Sequence, residues 1–138
     1  MEIVINYWAV LGCGVVSMVV GYIWYGPLFG KKWLRLMGVN PEDLAKCQEM
    51  QKAAGPLYGI QFLLSLFTAY VLAHYIAGWK EVSGVENSLW IWAAFVMPIV
   101  AGNALWSNLK NKEKWTMFLL GAGYQLVNFV LFGLILGW

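Results

Sequence analysis

Whatever chemistry this chain carries within its apolar stretches must come from uncharged amides and hydroxyls. Gln61, Ser65 and Thr68 share one helical face of an apolar stretch, Asn103 and Ser107 share a face of the next, and Gln125 and Asn128 stand a turn apart on the last. Side chains of this kind donate to and accept from one another or a neutral solute. Two readings follow: the seven residues tie helices together, or they line a polar path for a solute or ion. An unsatisfied amide in hydrocarbon costs several kcal/mol, whereas an interhelical hydrogen bond returns only about 0.6 to 2 kcal/mol. The seven are therefore expected to turn inward and face one another.

Other reactive groups are scarce. The single His74 has no acidic or Cys neighbour in sequence, so it reads as a core or interface residue rather than a metal ligand. Cys13 falls in mid-stretch and Cys47 in a polar segment, too far apart in character to pair, and there is no CxxC. Nucleophile elbow, zinc-protease helix and phosphate loop are all missing. No Asp, Glu, Lys or Arg interrupts the apolar stretches, which argues against carriers that need a titratable carboxylate at mid-depth. The expectation is no catalytic residue, no cofactor and no metal.

The elements that must position these residues follow from composition. Of 138 residues, 61% are hydrophobic and 17% aromatic, while 12% are charged against about 25% in soluble domains. A net charge of +2 leaves no electrostatic footprint for nucleic acid. A bilayer core about 30 Å thick takes about 20 apolar helical residues. Four stretches of that length occur, near residues 3–26, 56–79, 87–109 and 115–137. The chain thus reads as an all-α integral membrane four-helix bundle, one membrane domain over 1–138 with an interfacial and cytoplasmic connector at 27–55. The first stretch is too long for a signal peptide, follows acidic Glu2 and ends in Trp24 and Tyr25, so it is expected to be retained. Of the nine Lys and Arg, all but Lys80 fall between the first and second or the third and fourth stretches. That bias predicts both termini outside.

In the connector, Phe29, Trp33, Leu34, Leu36 and Met37 alternate with Lys31, Lys32 and Arg35, which suits a segment in the headgroup layer with its bases toward anionic lipid. Gly38 is expected to end it. Asn40 is then expected to cap a helix that opens on Pro41, with Glu42 meeting Lys46. This second connector helix reads as an amphipathic piece packed under the bundle, or as a docking helix for a cytoplasmic partner.

Spans associate in lipid through close packing at small residues. Ala9, Cys13, Ser17 and Gly21 recur every four residues in the first stretch, and Ser65, Ala69, Ala73 and Ala77 in the second. Ala94, Pro98 and Gly102 continue the pattern in the third, and Gly133 and Gly137 form a GxxxG pair in the fourth. One ridge left over would serve a second copy of the chain. Pro98 is expected to kink its helix near Ala94. Tyr7, Trp8, Trp24, Tyr25, Trp79, Trp90, Trp92, Trp106, Trp115 and Trp138 read as an interfacial belt. Around Trp24, Tyr25, Pro27, Phe29, Gly30, Lys31 and Trp33 the aromatics are denser than anchoring requires.

The segment GYIWYGPLFGKKWLRLMG, Gly21 to Gly38, resembles the signature of a bacterial membrane family known as domain of unknown function 1761. INYWAVL, YGIQFLLSLFTAYVLAH, IWAAFVMPIVAGNALW and AGYQLVNFVLFGLILGW are similar to it in order and position, so the resemblance spans nearly the whole chain. It implies a small prokaryotic four-span protein and assigns no activity or functional residue. Within the chain, Gly21 to Trp33 loosely parallels Gly102 to Trp115, as a duplicated hairpin or a coincidence would produce. Membrane lipids, a second copy and a larger membrane complex are the expected partners. The function expected is a structural or accessory component, with a small transporter or channel as the rival.

Overall fold

A computed structural model describes residues 3–137; the positions of Glu2 and Trp138 used above lie outside the described residues. The fold is all-α, with no strand among the described residues. Four helical runs are long and apolar enough to cross a membrane: Tyr7–Leu28, Leu44–Gly78, Gly84–Leu105 and Asn111–Leu136. Three match the apolar stretches to within a few residues. The second begins at Leu44 instead of Pro56, because the second connector helix and the second span are one element.

Local chemistry explains most boundaries. Helix α1 (Tyr7–Ile23) is capped by Asn6, whose side chain accepts from the N–H groups of Trp8 at 3.1 Å and Ala9 at 3.3 Å. Pro27 has no N–H to give and disfavours helical geometry in the residue before it, and Gly26 leaves the helix at φ −112°, ψ −105°. The chain widens there into a π turn, Trp24–Leu28, where the Phe29 N–H reaches back five residues to the Trp24 carbonyl at 2.9 Å. Helix α2 (Gly30–Leu36) follows and is stopped by Gly38 at φ 78°, as expected.

The start of α3 (Leu44–Gly78) differs from expectation. Asp43 is the cap, accepting from the Lys46 N–H at 3.2 Å, while Asn40 accepts from the Glu42 N–H at 3.0 Å in a turn upstream. A carboxylate three residues before a free N–H competes well for that position, which leaves Pro41 and Glu42 outside the helix. The helix then runs 35 residues, through Pro56. The hydrogen bond that Pro56 forgoes belongs to the Lys52 carbonyl, on an exposed turn where water can satisfy it. Residues 44–60 are mostly exposed, so this part projects from the bundle instead of packing beneath it.

Helix α4 (Gly84–Ile91) opens on Ser83, whose Oγ accepts from the Glu86 N–H at 3.1 Å. A second π turn, Trp92–Val96, separates it from α5 (Met97–Leu105), where Pro98 sits in the first turn. The break expected near Ala94 is therefore present, as a widened turn that removes Pro98 from the regular ladder. Helix α6 (Asn111–Leu136) completes the fold.

Helix α1 packs between α3 and α6, and α6 also carries α4 and α5 along its length. All four runs converge only near Ile3, Gly78, Gly84 and Gly137, the terminal end, around Val10, Cys13, Leu72, Ala73, Phe129 and Phe132. Toward the connector end the bundle opens, leaving Leu57, Ile60, Leu63 and Leu64 on the surface. Apolar side chains such as Val15, Val19, Phe67, Phe95, Ile99 and Leu119 also face outward, as a hydrocarbon solvent requires.

The ridge residues are used unequally. Cys13, Ser17, Ala69 and Ala73 are buried and Ala9 half-buried. A Cβ on Gly21 would stand 3.0 Å from the Tyr124 hydroxyl. The tightest approach joins α4 to α6, where a Cβ on Gly133 would lie 2.6 Å from the Gly84 carbonyl and one on Gly137 3.0 Å from Gly84 Cα. Gly102 has open space around it. Replacing Gly133 by Ala should cost about 1–3 kcal/mol through overpacking against backbone, whereas Gly102→Ala should stay within about 0.5 kcal/mol. Denaturant unfolding in detergent micelles, followed by circular dichroism, measures both.

Candidate functional site

The amides and hydroxyls do not assemble into one cluster. Gln61 is exposed and donates to Ser65 Oγ at 3.5 Å on its own helix, the one hydrogen bond among the described residues that joins two of the seven. Ser65 is buried and Thr68 half-buried on α3, which packs on α1. Asn103 is exposed on α5, which packs on α6, and Ser107 Oγ donates to the Ala104 carbonyl at 2.7 Å. Gln125 is half-buried; Asn128 is 4% exposed, and its Oδ1 has no hydrogen-bond partner. The opening of the bundle toward the connector end is what keeps Gln61 and Asn103 on separate seams.

A better-organised constellation surrounds the waist of α6. Gly121, Ala122 and Gly123 keep that helix slim, and two indoles from opposite π turns close on it. Trp24 Nε1 donates to the Leu120 carbonyl at 3.0 Å, and Trp92 Nε1 donates to the Ala122 carbonyl at 3.1 Å. A Cβ on Gly123 would come 3.1 Å from the Trp24 ring, so the absence of a side chain admits it. Each Trp opens its π turn at regular helical dihedrals, so the preceding helix, α1 or α4, sets its aim. These two members of the expected belt are thus structural clamps, unlike exposed Trp8, Trp90, Trp106 and Trp115.

The rest of the dense aromatic motif continues from this clamp. The Trp24 and Phe29 rings lie 4.8 Å apart, Tyr25 meets Trp33 edge-on at 5.7 Å and Tyr124 at 5.3 Å, and Lys32 Nζ sits 5.9 Å from the Phe29 centroid. Tyr124 in turn donates to the Ser17 carbonyl at 3.1 Å, tying α6 to α1. Pro27 makes the bend, Gly30 is buried where a Cβ would press the Tyr25 carbonyl at 2.9 Å, and Lys31 points to the exterior beside Arg35. Between α2, α5 and α6 this leaves a small cavity of about 180 Å³ lined by Tyr25, Trp33, Leu36, Asn103 and Met117. Sequence reasoning placed the motif but missed Tyr124 and the α6 waist; the run Gly121-Ala122-Gly123-Tyr124 was the available signal.

Other groups stay apart. His74 Nδ1 lies 2.9 Å from the Tyr70 carbonyl and its ring meets Tyr70 edge-on at 4.6 Å. No group of three His, Cys, Asp or Glu side chains comes together among the described residues. Gly21–Trp33 passes through a π turn into α2, whereas Gly102–Trp115 ends α5 in a turn and enters α6, so the two segments differ in structure.

Four apolar helical runs with outward-facing apolar side chains define a multi-pass α-helical membrane protein. The chain belongs to the family described as protein of unknown function (DUF1761), whose model matches residues 8–137. No curated protein and no solved structure matches it.

The clamp has a measurable strength. Trp24→Phe and Trp92→Phe each remove one N–H donor while keeping an aromatic ring, and each should cost about 0.6–1.7 kcal/mol. Unfolding in detergent gives the values; additivity in the double variant would show that the two indoles act separately on α6.

Proposed function

We propose that this protein is a non-enzymatic, self-associating structural or accessory component of a bacterial cytoplasmic membrane, with both termini outside. The observation that carries this reading is the unpartnered face of the second π turn and α5. Ala94 and Pro98 are exposed there, and nothing lies within 4 Å of the position of a Gly102 Cβ. A thin ridge is what a second helix needs for close approach. The other three ridges are occupied within the chain. Transport gains no comparable support, since Gln61 and Asn103 lie on different seams. A larger membrane complex would use the same face or the projecting part of α3.

Cysteine crosslinking tests self-association. In a Cys47→Ser background, Ala94→Cys should give crosslinked dimers in native membranes, Leu63→Cys on the exposed side of α3 should not, and Gly102→Leu should reduce the Ala94→Cys product. Equal crosslinking at both positions, or none, would defeat the reading. Solute flux into reconstituted vesicles that disappears with Asn103→Leu would establish the transporter instead.

Orientation is tested on the natural thiol. Cys47 is half-buried outside the apolar spans, whereas Cys13 is buried, so a membrane-impermeant maleimide reports Cys47. It should label inverted membrane vesicles and leave intact cells unlabelled; labelling of intact cells would reverse the topology.

A further inference from the structure

A cavity lies on the α5–α6 seam at the connector end, on the flank opposite the aromatic motif. It has a volume of about 420 Å³ and is walled by Ala101, Ala104 and Leu105 on one side and Phe118 and Trp115 on the other. Small residues on α5 leave the trough, and apolar walls suit a hydrocarbon chain. Trp115, exposed at its edge, and Trp106, 91% exposed at the end of α5, set its mouth at headgroup depth.

The mouth is charged with one sign. Lys114 is the charged residue of the lining, and no carboxylate shares it. Its Nζ donates to the Leu105 carbonyl at 2.9 Å, which fixes the ammonium at the rim and leaves two N–H groups unspent. An ammonium already held in place gives up less side-chain freedom on taking an anion than a free surface lysine. Asn111 adds an amide to the lining, and Lys110 and Lys112 stand in the adjoining turn and first helical turn against Glu113.

We infer that this cleft is a seat for an anionic glycerophospholipid, one acyl chain lying between α5 and α6 and the phosphate on Lys114, with Lys110 and Lys112 favouring a headgroup that carries net negative charge. A zwitterionic lipid offers the same chain and phosphate but presents its own cation to this cluster. The seat is on a different flank from Asn103 and stands whether or not the chain self-associates.

Native mass spectrometry of the full chain, released from mild detergent with equal amounts of phosphatidylglycerol and phosphatidylcholine of the same acyl chains, tests the assignment. Phosphatidylglycerol should be retained at least about fivefold better, the weight of roughly one lysine against an anionic lipid. Lys114→Gln should bring its retention down to that of phosphatidylcholine, Ala101→Leu should lower both by filling the trough, and Lys46→Gln on the projecting part of α3 should change neither. Equal retention of the two lipids, or a preference that survives Lys114→Gln with helicity unchanged by circular dichroism, overturns the proposal. If Lys114→Gln does not fold, retention of phosphatidylglycerol unchanged in Ala101→Leu overturns it as well.

Discussion

Lipid tails exclude no water from between helices, so the distance to which two backbones can approach governs how this chain holds together. Helix α6 is where that constraint is met. Gly133 and Gly137 admit Gly84 at the terminal end, and the Gly121–Gly123 waist admits the Trp24 ring lower down. With side chains absent at those points, carbonyls that already close helical turns are near enough to accept a second donor. The Trp24 and Trp92 indoles use them. Removing bulk from one helix thus creates both the packing and the hydrogen bonds that bind its neighbours.

Much of this is legible in the sequence. Four runs without charge set the crossings, since an ionised side chain in hydrocarbon is too costly to overlook. Small residues at four-residue spacing identified Cys13, Ser17, Ala69, Ala73 and Gly133 as packing positions, because such spacing keeps one side of a helix thin. Pro98 marked its break and Gly38 its stop for equally local reasons. What was not legible depends on partners distant in sequence. Nothing near Trp24 or Trp92 shows that each reaches a carbonyl on α6, 96 and 30 residues away. The expectation that Gln61 and Asn103 meet takes all four helices as packed on one another along their whole length, whereas α3 packs on α1 and α5 on α6.

The two π turns connect these observations. Each follows from a proline, Pro27 or Pro98, that disrupts the regular ladder nearby. In an isolated helix that disruption leaves backbone groups unpaired, a serious cost in a solvent without hydrogen bonds. Here the widened turn re-pairs the chain five residues back, and the tryptophan that opens it donates to α6. A local defect and a long-range tie are one feature. Tryptophans that the composition assigns to the water boundary are thereby divided between anchoring and tying.

Helix α3 has a mechanical consequence. At 1.5 Å per residue its 35 residues measure roughly 50 Å, well beyond the thickness of the apolar layer. Its projecting turns and the turns packed on α1 belong to one continuous rod, while Gly38 and the turn at Asn40 separate that rod from α2. A torque applied to the protruding portion is therefore delivered to the Ala69–Ile76 contacts, with α2 left behind.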